Sequence, residues 1–347
     1  MIEQAATPKV SFVVTNYNGR RNLERCMPFI LAAAEYRGLA DEVIVVDDCS
    51  TDGSVEFLAE AFPTVRVIAL TERSSFLGAA NEGFRQARNR YVALLSNDMA
   101  PERDFLGRLL GHFERSEVFV AHASLVSPSG RVESERSVGR FLFGNLKMLN
   151  TASRDRGLAR LLLSSERVSR YSLFSGACGV FDRDKFLALG GLDPIYLPFY
   201  WEDADLCYRA WRRGWKTVSE PGCRVVHFHE ELGTIRNNFD REYVRTVERR
   251  NRFLFLWSNI DSPAHLAAHA AYLAVNLAFS VFCGRFSFYR SFFGSVRRLP
   301  QVLERRRRRA EARLSDREIF AQVLGERPAD SLTLAPTAAM AARRSVA

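Results

Sequence analysis

Three runs of polar residues directly follow apolar, β-branched segments: Thr15-Asn16-Tyr17-Asn18-Gly19, Asp47-Asp48-Cys49-Ser50-Thr51-Asp52-Gly53-Ser54 and Ser96-Asn97-Asp98. Carboxylates such as Asp47 and Asp48 are costly to bury unpaired. In that position they can accept hydrogen bonds from a nucleobase N–H or a ribose hydroxyl. The alternative is that Asp47, Asp48 and Asp52 form turns and cap a helix at Ser54. Asp98 is a candidate hard-metal ligand, because Mg2+ or Mn2+ bound to a diphosphate needs oxygen donors and takes few protein ligands. His227, closing a later apolar run, can add an imidazole, which Mn2+ accepts. A loop-turn aspartate and a structural histidine are the plain alternatives. Glu202, Asp203 and Asp205 fall in the first turn of a predicted helix, where the helix dipole favours anions. They stand beside Phe199, Tyr200, Trp201 and Tyr208. Aromatic walls desolvate a carboxylate and raise its affinity for a proton, which a general base needs.

These residues must be held by regular elements. Val10–Thr15, Glu42–Val46, Val65–Leu70 and Tyr91–Leu95 read as buried strands, alternating with helical stretches at Leu23–Tyr36, Ser54–Ala61 and Gly78–Ala87. That alternation predicts a parallel sheet covered on both faces, in which ligands sit outside the carboxyl ends of the strands. The second half is less regular. Phe174–Phe181 is strand-like, Gly190-Gly191-Leu192-Asp193 turns the chain, Leu206–Arg213 is a helix ended by Gly214, and Val225-Val226-His227 is one more strand end. There is no internal repeat.

The 347 residues, 47% hydrophobic and 26% charged, describe a folded protein and exclude fibrous and wholly disordered classes. Six dispersed cysteines with no CxxC pair suggest neither a disulfide framework nor a zinc knuckle. The polar stretch Met1–Lys9 lacks secretory features, so a cytoplasmic address is expected. The net charge of +9 is concentrated: from Arg285 to Arg317 there are 11 Arg against three acids. The first 284 residues carry no basic reader module, so nucleic acid is not an expected partner. Ala264–Cys283 is a 20-residue run without Asp, Glu, Lys or Arg. His265, His269, Tyr272, Asn276 and Ser280 share one side of a helix there, and Leu266, Leu273, Leu277 and Val281 the other. With Phe286, Phe288, Tyr289, Phe292 and Phe293 and the run Arg305–Arg309, residues 258–320 read as an amphipathic basic segment lying on an anionic membrane surface. Each basic residue there contributes about 1 kcal/mol. The alternative is a helix packed on the domain with a solvated arginine extension. Residues 321–347, rich in Ala, Thr, Pro and Ser, are expected to be a disordered tail.

Five blocks in order, VSFVVTNYNG (10–19), EVIVVDDCSTDGS (42–54), FLGAANEGF (76–84), ALLSNDM (93–99) and the pair FSGACGVFDRDKFLALGGLD with YWEDADLCYRAWRRGW (174–193, 200–215), make residues 9–257 resemble the family 2 glycosyltransferases. The likeness is to their rhamnosyltransferase-like and galactofuranosyltransferase-like branch. It implies an α/β, GT-A-type fold, with a mainly parallel central sheet flanked by helices and a helical C-terminal extension. Residues 1–257 would be the catalytic domain, 1–100 its nucleotide-binding half and 101–257 its acceptor half. By this resemblance Thr15, Tyr17, Asn18, Asp47, Asp48, Ser50, Asn81 and Asn97 line the nucleotide, and Asp98 is the metal acid of a DXD-like motif with His227 as a further ligand. Asp203 is the base beside Glu202, and Trp201, Asp205 and Gly176 lie on the sugar and acceptor side. The chain departs from the pattern twice. Ser96-Asn97-Asp98 lacks the first carboxylate, so Asp98 must hold Mg2+ or Mn2+ with His227, water and phosphate oxygens. Arg73-Ser74-Ser75-Phe76 replaces the usual Asn-x-Gly-Phe.

The resemblance implies inverting transfer of a sugar from a nucleotide diphosphate sugar to a hydroxyl of a glycan, in bacterial cell-surface polysaccharide synthesis. The basic C-terminal segment suits a lipid-linked acceptor met at the inner face of the cytoplasmic membrane. Two other readings compete. A sugar nucleotidyltransferase shares the α/β domain, but no Gly-rich phosphate loop with a following Lys is present. A non-catalytic scaffold is motivated by Ser96 and opposed by Asp98, Asp203 and His227.

Overall fold

A computed structural model describes residues 8–153, 169–228, 239–284, 286–309 and 312–325. The apolar runs of the first half become β1 (Val10–Asn16), β2 (Glu42–Asp47), β3 (Arg66–Ala69) and β4 (Tyr91–Ser96), connected by α1 (Arg20–Glu35), α2 (Ser54–Ala61) and α3 (Ser75–Gln86). They pair in parallel, as expected. Strand side chains alternate between faces. Accordingly Phe12 and Val14 of β1 join Met27, Leu58 and Phe105 in one apolar layer, and Val13 joins Phe84, Phe181 and Phe186 in the other.

The second half adds β5 (Met99–Pro101), α4 (Phe105–Leu110), β6 (Val118–Val126), β7 (Val132–Ser134), β8 (Ser137–Leu142), β9 (Asn145–Asn150), β10 (Cys178–Asp182), α5 (Arg183–Ala188), α6 (Glu202–Arg212) and β11 (Lys216–His227). The sheet order is β3-β2-β1-β4-β10-β6-β11-β5, with β7 beside β6. β10 lies antiparallel between β4 and β6 and joins the halves into one sheet. Gly214 ends α6 at φ 82°, as its position predicted.

The C-terminal part is helical: α7 (Arg241–Asn259), α8 (Pro263–Phe282), α9 (Phe286–Val296), α10 (Leu299–Arg308) and α11 (Asp316–Val323). Three features differ from expectation. First, α11 begins at a capping box of Ser315 and Glu318 and buries Ile319, Phe320, Val323 and Leu324 against Tyr208 and Phe255. The expected tail therefore starts too early at 321, and residues 326–347 lie outside the described residues. Second, three of the five arginines of Arg305–Arg309 turn toward the protein, while Arg307 and Arg308 stay exposed. Arg305 reaches inward to Asp193 at 3.2 Å and Asp205 at 2.9 Å, Arg306 and Arg309 hold Asp261 at 2.6 and 2.7 Å, and Arg308 pairs with Glu304. Third, α8 is turned inside out. His269 and Ser280 of its polar stripe are buried against the protein, and every exposed residue within the helix is Pro, Ala, Val or Phe.

The β8–β9 hairpin closes through Phe143 and Gly144, both at positive φ (48° and 73°). A Cβ on Gly144 would stand 2.1 Å from the Ala268 carbonyl oxygen, so this contact requires glycine.

Candidate active site

The pairing of β5 with β11 sets Met99 opposite His227. Asp98, one residue before β5, therefore meets a histidine 129 positions away: Nε2 of His227 lies 3.2 Å from Oδ2 of Asp98. The Asp98 carbonyl accepts a hydrogen bond from the N–H of Phe228 at 2.9 Å. The other carboxylate oxygen, Oδ1, is buried with no partner. Nδ1 of His227 stands 3.7 Å from Glu133. Burial works against the imidazolium, but the hydrogen bond and charge of Asp98 outweigh it and Glu133 adds to them, so His227 holds its proton more tightly than a free histidine. An unpartnered buried carboxylate oxygen beside an imidazole fits a divalent cation. Among the described residues no cluster of three or more His, Cys, Asp or Glu could hold a metal. Such an ion would depend on substrate oxygens to complete its shell.

The acids of α6 are reached through a strained entry. Tyr200 and Trp201 both sit in the left-handed region, at φ 70° and 77°, a conformation that persists in non-glycine residues only where the surroundings enforce it. Asn251 of α7 does so. Its side-chain amide donates to the carbonyls of Tyr196, Phe199 and Tyr200 at 2.6, 2.8 and 2.9 Å, and Arg250 donates to that of Leu197. Neither residue was expected at the site. The available signal was a polar residue on the apolar face of a helix, since Val247, Asn251 and Leu254 are spaced by four and three.

Glu202 and Asp203, half-buried, open α6. Burial pushes the Glu202 carboxyl above its ordinary range and the charge of Asp203 adds to the shift. Oε2 of Glu202 has no hydrogen-bond partner. Asp203 is also raised by burial, only partly offset by the N–H of Ala204, which donates to it at 2.7 Å. The thiol of Cys178 is pushed up to about 12 by burial and then by the charge of Asp203. Cys178 opens β10 opposite Leu95 of β4, three residues before Asp98. Asp203 is therefore near enough to this end of the sheet for its charge to act on Cys178, and Asp98 follows β4 at the same end.

Two residues expected on the sugar side, Asp205 and Trp201, fall differently. Asp205 is wholly buried and takes hydrogen bonds from Tyr196, Asn259, Arg209 and Arg305. It is an interior counter-ion, held well below the ordinary carboxylate range because these arginines outweigh its desolvation. The Trp201 ring is buried against Phe255, leaving the partly exposed Tyr200 as the aromatic at the helix entry. Gly176 faces open space, with room for a side chain.

On the nucleotide side the expected residues hydrogen-bond within the chain. Asp47 takes Ser50 N–H at 2.8 Å, Ser50 Oγ at 2.6 Å and Asn16 at 2.7 Å. Asp48 takes the N–H groups of Ser74 and Ser75 at 2.6 and 3.0 Å and Arg73 at 3.1 Å. Both carboxylates thus make turn contacts. Asn18 accepts from Thr51, Asn97 donates to Asn16, and Asn81 binds both backbone groups of Leu192. Gly19 leaves the space that the Asn16–Asn97 bond fills, since a Cβ there would lie 1.9 Å from Asn97. Thr15 is buried. Tyr17 remains open, 37% exposed, with the Arg73 guanidinium 3.3 Å from its ring centre. Arg73 lies in the segment that departs from the expected pattern, the one sequence signal that pointed to it.

Comparison with known proteins adds the following. The profile of the family Glycosyl transferase family 2 matches residues 11–183. The succinoglycan biosynthesis protein ExoO of Rhizobium meliloti is 35% identical over 127 residues, 36% of this chain and 36% of that protein. The N-acetylglucosaminyl-diphospho-decaprenol L-rhamnosyltransferase of Mycobacterium tuberculosis is 26% identical over 252 residues, 64% of this chain and 76% of that protein. A crystal structure of GalNAc-T7 with UDP, GalNAc and Mn2+ superposes with a TM-score of 0.55 at 16% identity, over 74% of this chain and 49% of that one. The chain spans 26–45% of the length of three curated relatives it matches, ExoO among them.

Proposed function

The chain belongs to the family 2 glycosyltransferases through residues 11–183, and from that premise we propose that it moves a sugar from a nucleotide diphosphate sugar to a hydroxyl of a lipid-linked glycan, with inversion. The observation that carries the reading is the Glu202–Asp203 pair, raised in proton affinity, near the end of the sheet where Asp98 meets His227.

Asp203 accepts the proton of the acceptor hydroxyl as that oxygen attacks the anomeric carbon from the face opposite the diphosphate. The new carbon–oxygen bond forms as the bond to the diphosphate breaks, and the nucleoside diphosphate leaves with that electron pair. A single displacement inverts the centre, and Asp203 then gives its proton to solvent. Burial in the half-dry first turn is what raises the proton affinity of Asp203, and the charge of Asp203 in turn raises that of Glu202 beside it. Asp98 and His227 would hold Mg2+ or Mn2+, which when bound offsets the negative charge of the diphosphate. The Mn2+ and UDP with GalNAc-T7 support the choice of ion and donor class. The diphospho-decaprenol in the mycobacterial relative's name supports a lipid-linked acceptor. The inside-out face of α8 supports work at the inner face of the cytoplasmic membrane.

Release of nucleoside diphosphate from a panel of UDP, GDP and dTDP sugars with Mn2+ tests the reading. Asp203→Asn is expected to lower turnover about 10²–10⁴-fold while still binding nucleotide. Retained turnover with an ordinary metal requirement refutes the base.

A further inference from the structure

We infer that the β8–β9 turn is a second membrane anchor, seating Phe143 in the headgroup and acyl boundary of an anionic bilayer beside the outer face of α8. The inference rests on the membrane reading above and adds to it an element from the acceptor half, outside the basic C-terminal segment.

Phe143 is 94% exposed. It occupies, at φ 48°, a two-residue hairpin turn whose positive-φ positions ordinarily take Asn, Asp or Gly. A large ring in a strained conformation, facing water, gains nothing within the chain from being there. The turn is nonetheless held firmly to α8. The Gly144 backbone packs against the Ala268 carbonyl, Nδ1 of His269 lies 2.7 Å from the Gly144 carbonyl oxygen, and the Phe141 ring stacks on His265 at 3.8 Å between centres. The polar stripe of α8 thus serves as the seat of the hairpin. Gly144, next to Phe143, meets Ala268 and Tyr272 of α8, a helix whose exposed residues Ala267, Ala271, Val275, Phe279 and Phe282 carry no polar side chain.

Charge decides the occupant. The chain's net charge is +9, and the helices that follow α8 expose Arg290, Arg297 and Arg307. A second copy would bring the same positive excess and be repelled, whereas an anionic lipid surface is attracted. An apolar strip backed by arginines is the form of an interfacial element.

The test uses the full chain with vesicles of phosphatidylglycerol and phosphatidylcholine. Phe143→Trp is expected to gain a blue-shifted emission over wild type that acyl-chain-brominated lipid quenches. Phe143→Ser is expected to weaken vesicle partition about tenfold, whereas Phe29→Ser, an exposed Phe of α1, leaves it unchanged. If wild type floats but the introduced Trp is not quenched, or Phe143→Ser partitions as wild type does, the hairpin anchor is wrong and the α8 reading survives. If wild type does not float, both are wrong. A dimer that Phe143→Ser splits, without vesicle binding, makes a second copy the occupant and overturns the proposal. None of these outcomes bears on sugar transfer from a soluble donor, which is measured separately.

Discussion

Two sets of carboxylates near the same end of the sheet stand in opposite states. Asp47 and Asp48, after β2, have their oxygens occupied by backbone N–H groups, hydroxyls and Arg73. By contrast, Asp98 keeps one oxygen, and Glu202 another, buried without a partner. A saturated carboxylate fixes loops, because withdrawing it would orphan several buried donors. An unsaturated one is held at a cost that only a ligand or a proton relieves. Partner count separates a structural acid from a chemical one.

The sharpest way to break this contrast is Asp203→Asn. Turnover is expected to fall about 10²–10⁴-fold, read as nucleoside diphosphate release, with nucleotide binding by calorimetry retained. A loss of binding equal to the loss of turnover would put Asp203 among the structural acids. Next, Asp98→Asn is expected to weaken Mn2+ binding in the presence of nucleoside diphosphate by at least the roughly 10–100-fold typical of outer-sphere changes, measured by electron paramagnetic resonance. Unaltered Mn2+ affinity would end the metal assignment. On the other side, Asp48→Ala orphans the Ser74 and Ser75 N–H groups. Urea unfolding is expected to show a loss of about 1–3 kcal/mol for each buried donor left bare, and a variant as stable as wild type would mean that the turn does not need its acid.

The smallest effect has the opposite sign. The Glu202 carboxyl is raised in the folded chain, so the fold binds its proton more tightly than the unfolded chain does. This group's contribution to stability is therefore present at low pH and lost as pH rises through its raised range. Glu202→Gln is expected to melt slightly higher than wild type at pH 8 and at the same temperature at pH 4. A variant less stable at pH 8 would show that Glu202 has a partner in the folded chain.

Much of this was legible in the residues and some was not. The parallel half followed from continuous β-branched runs, which suit only strands buried on both faces. The meeting of Asp98 and His227 came from resemblance, because nothing local links positions 129 apart. The divergence of Asp203 and Asp205 was readable: two residues along a helix are about 200° apart, so both could not face one cleft. For Asp47 and Asp48 the sequence was silent, since a turn and a ribose contact use the same residue types. The inward turn of Arg305 was hidden because a run of like charges says nothing of its counter-ions when they lie 100 residues earlier.

That inward turn constrains how the enzyme can be handled. Cutting the chain near Asp261 to obtain a form that stays in solution would also amputate Arg305 and Asp316, leaving Asp205 with one cationic neighbour fewer and Tyr208 without its acceptor. Severing a buried ion pair of this kind costs about 3–5 kcal/mol, enough to unfold many proteins of this size. A shortened chain that fails to reach lipid would then report a collapsed helix and not a missing foot. Solubility is better sought by placing polar side chains on Phe279 and Phe282, with every residue through Leu324 retained.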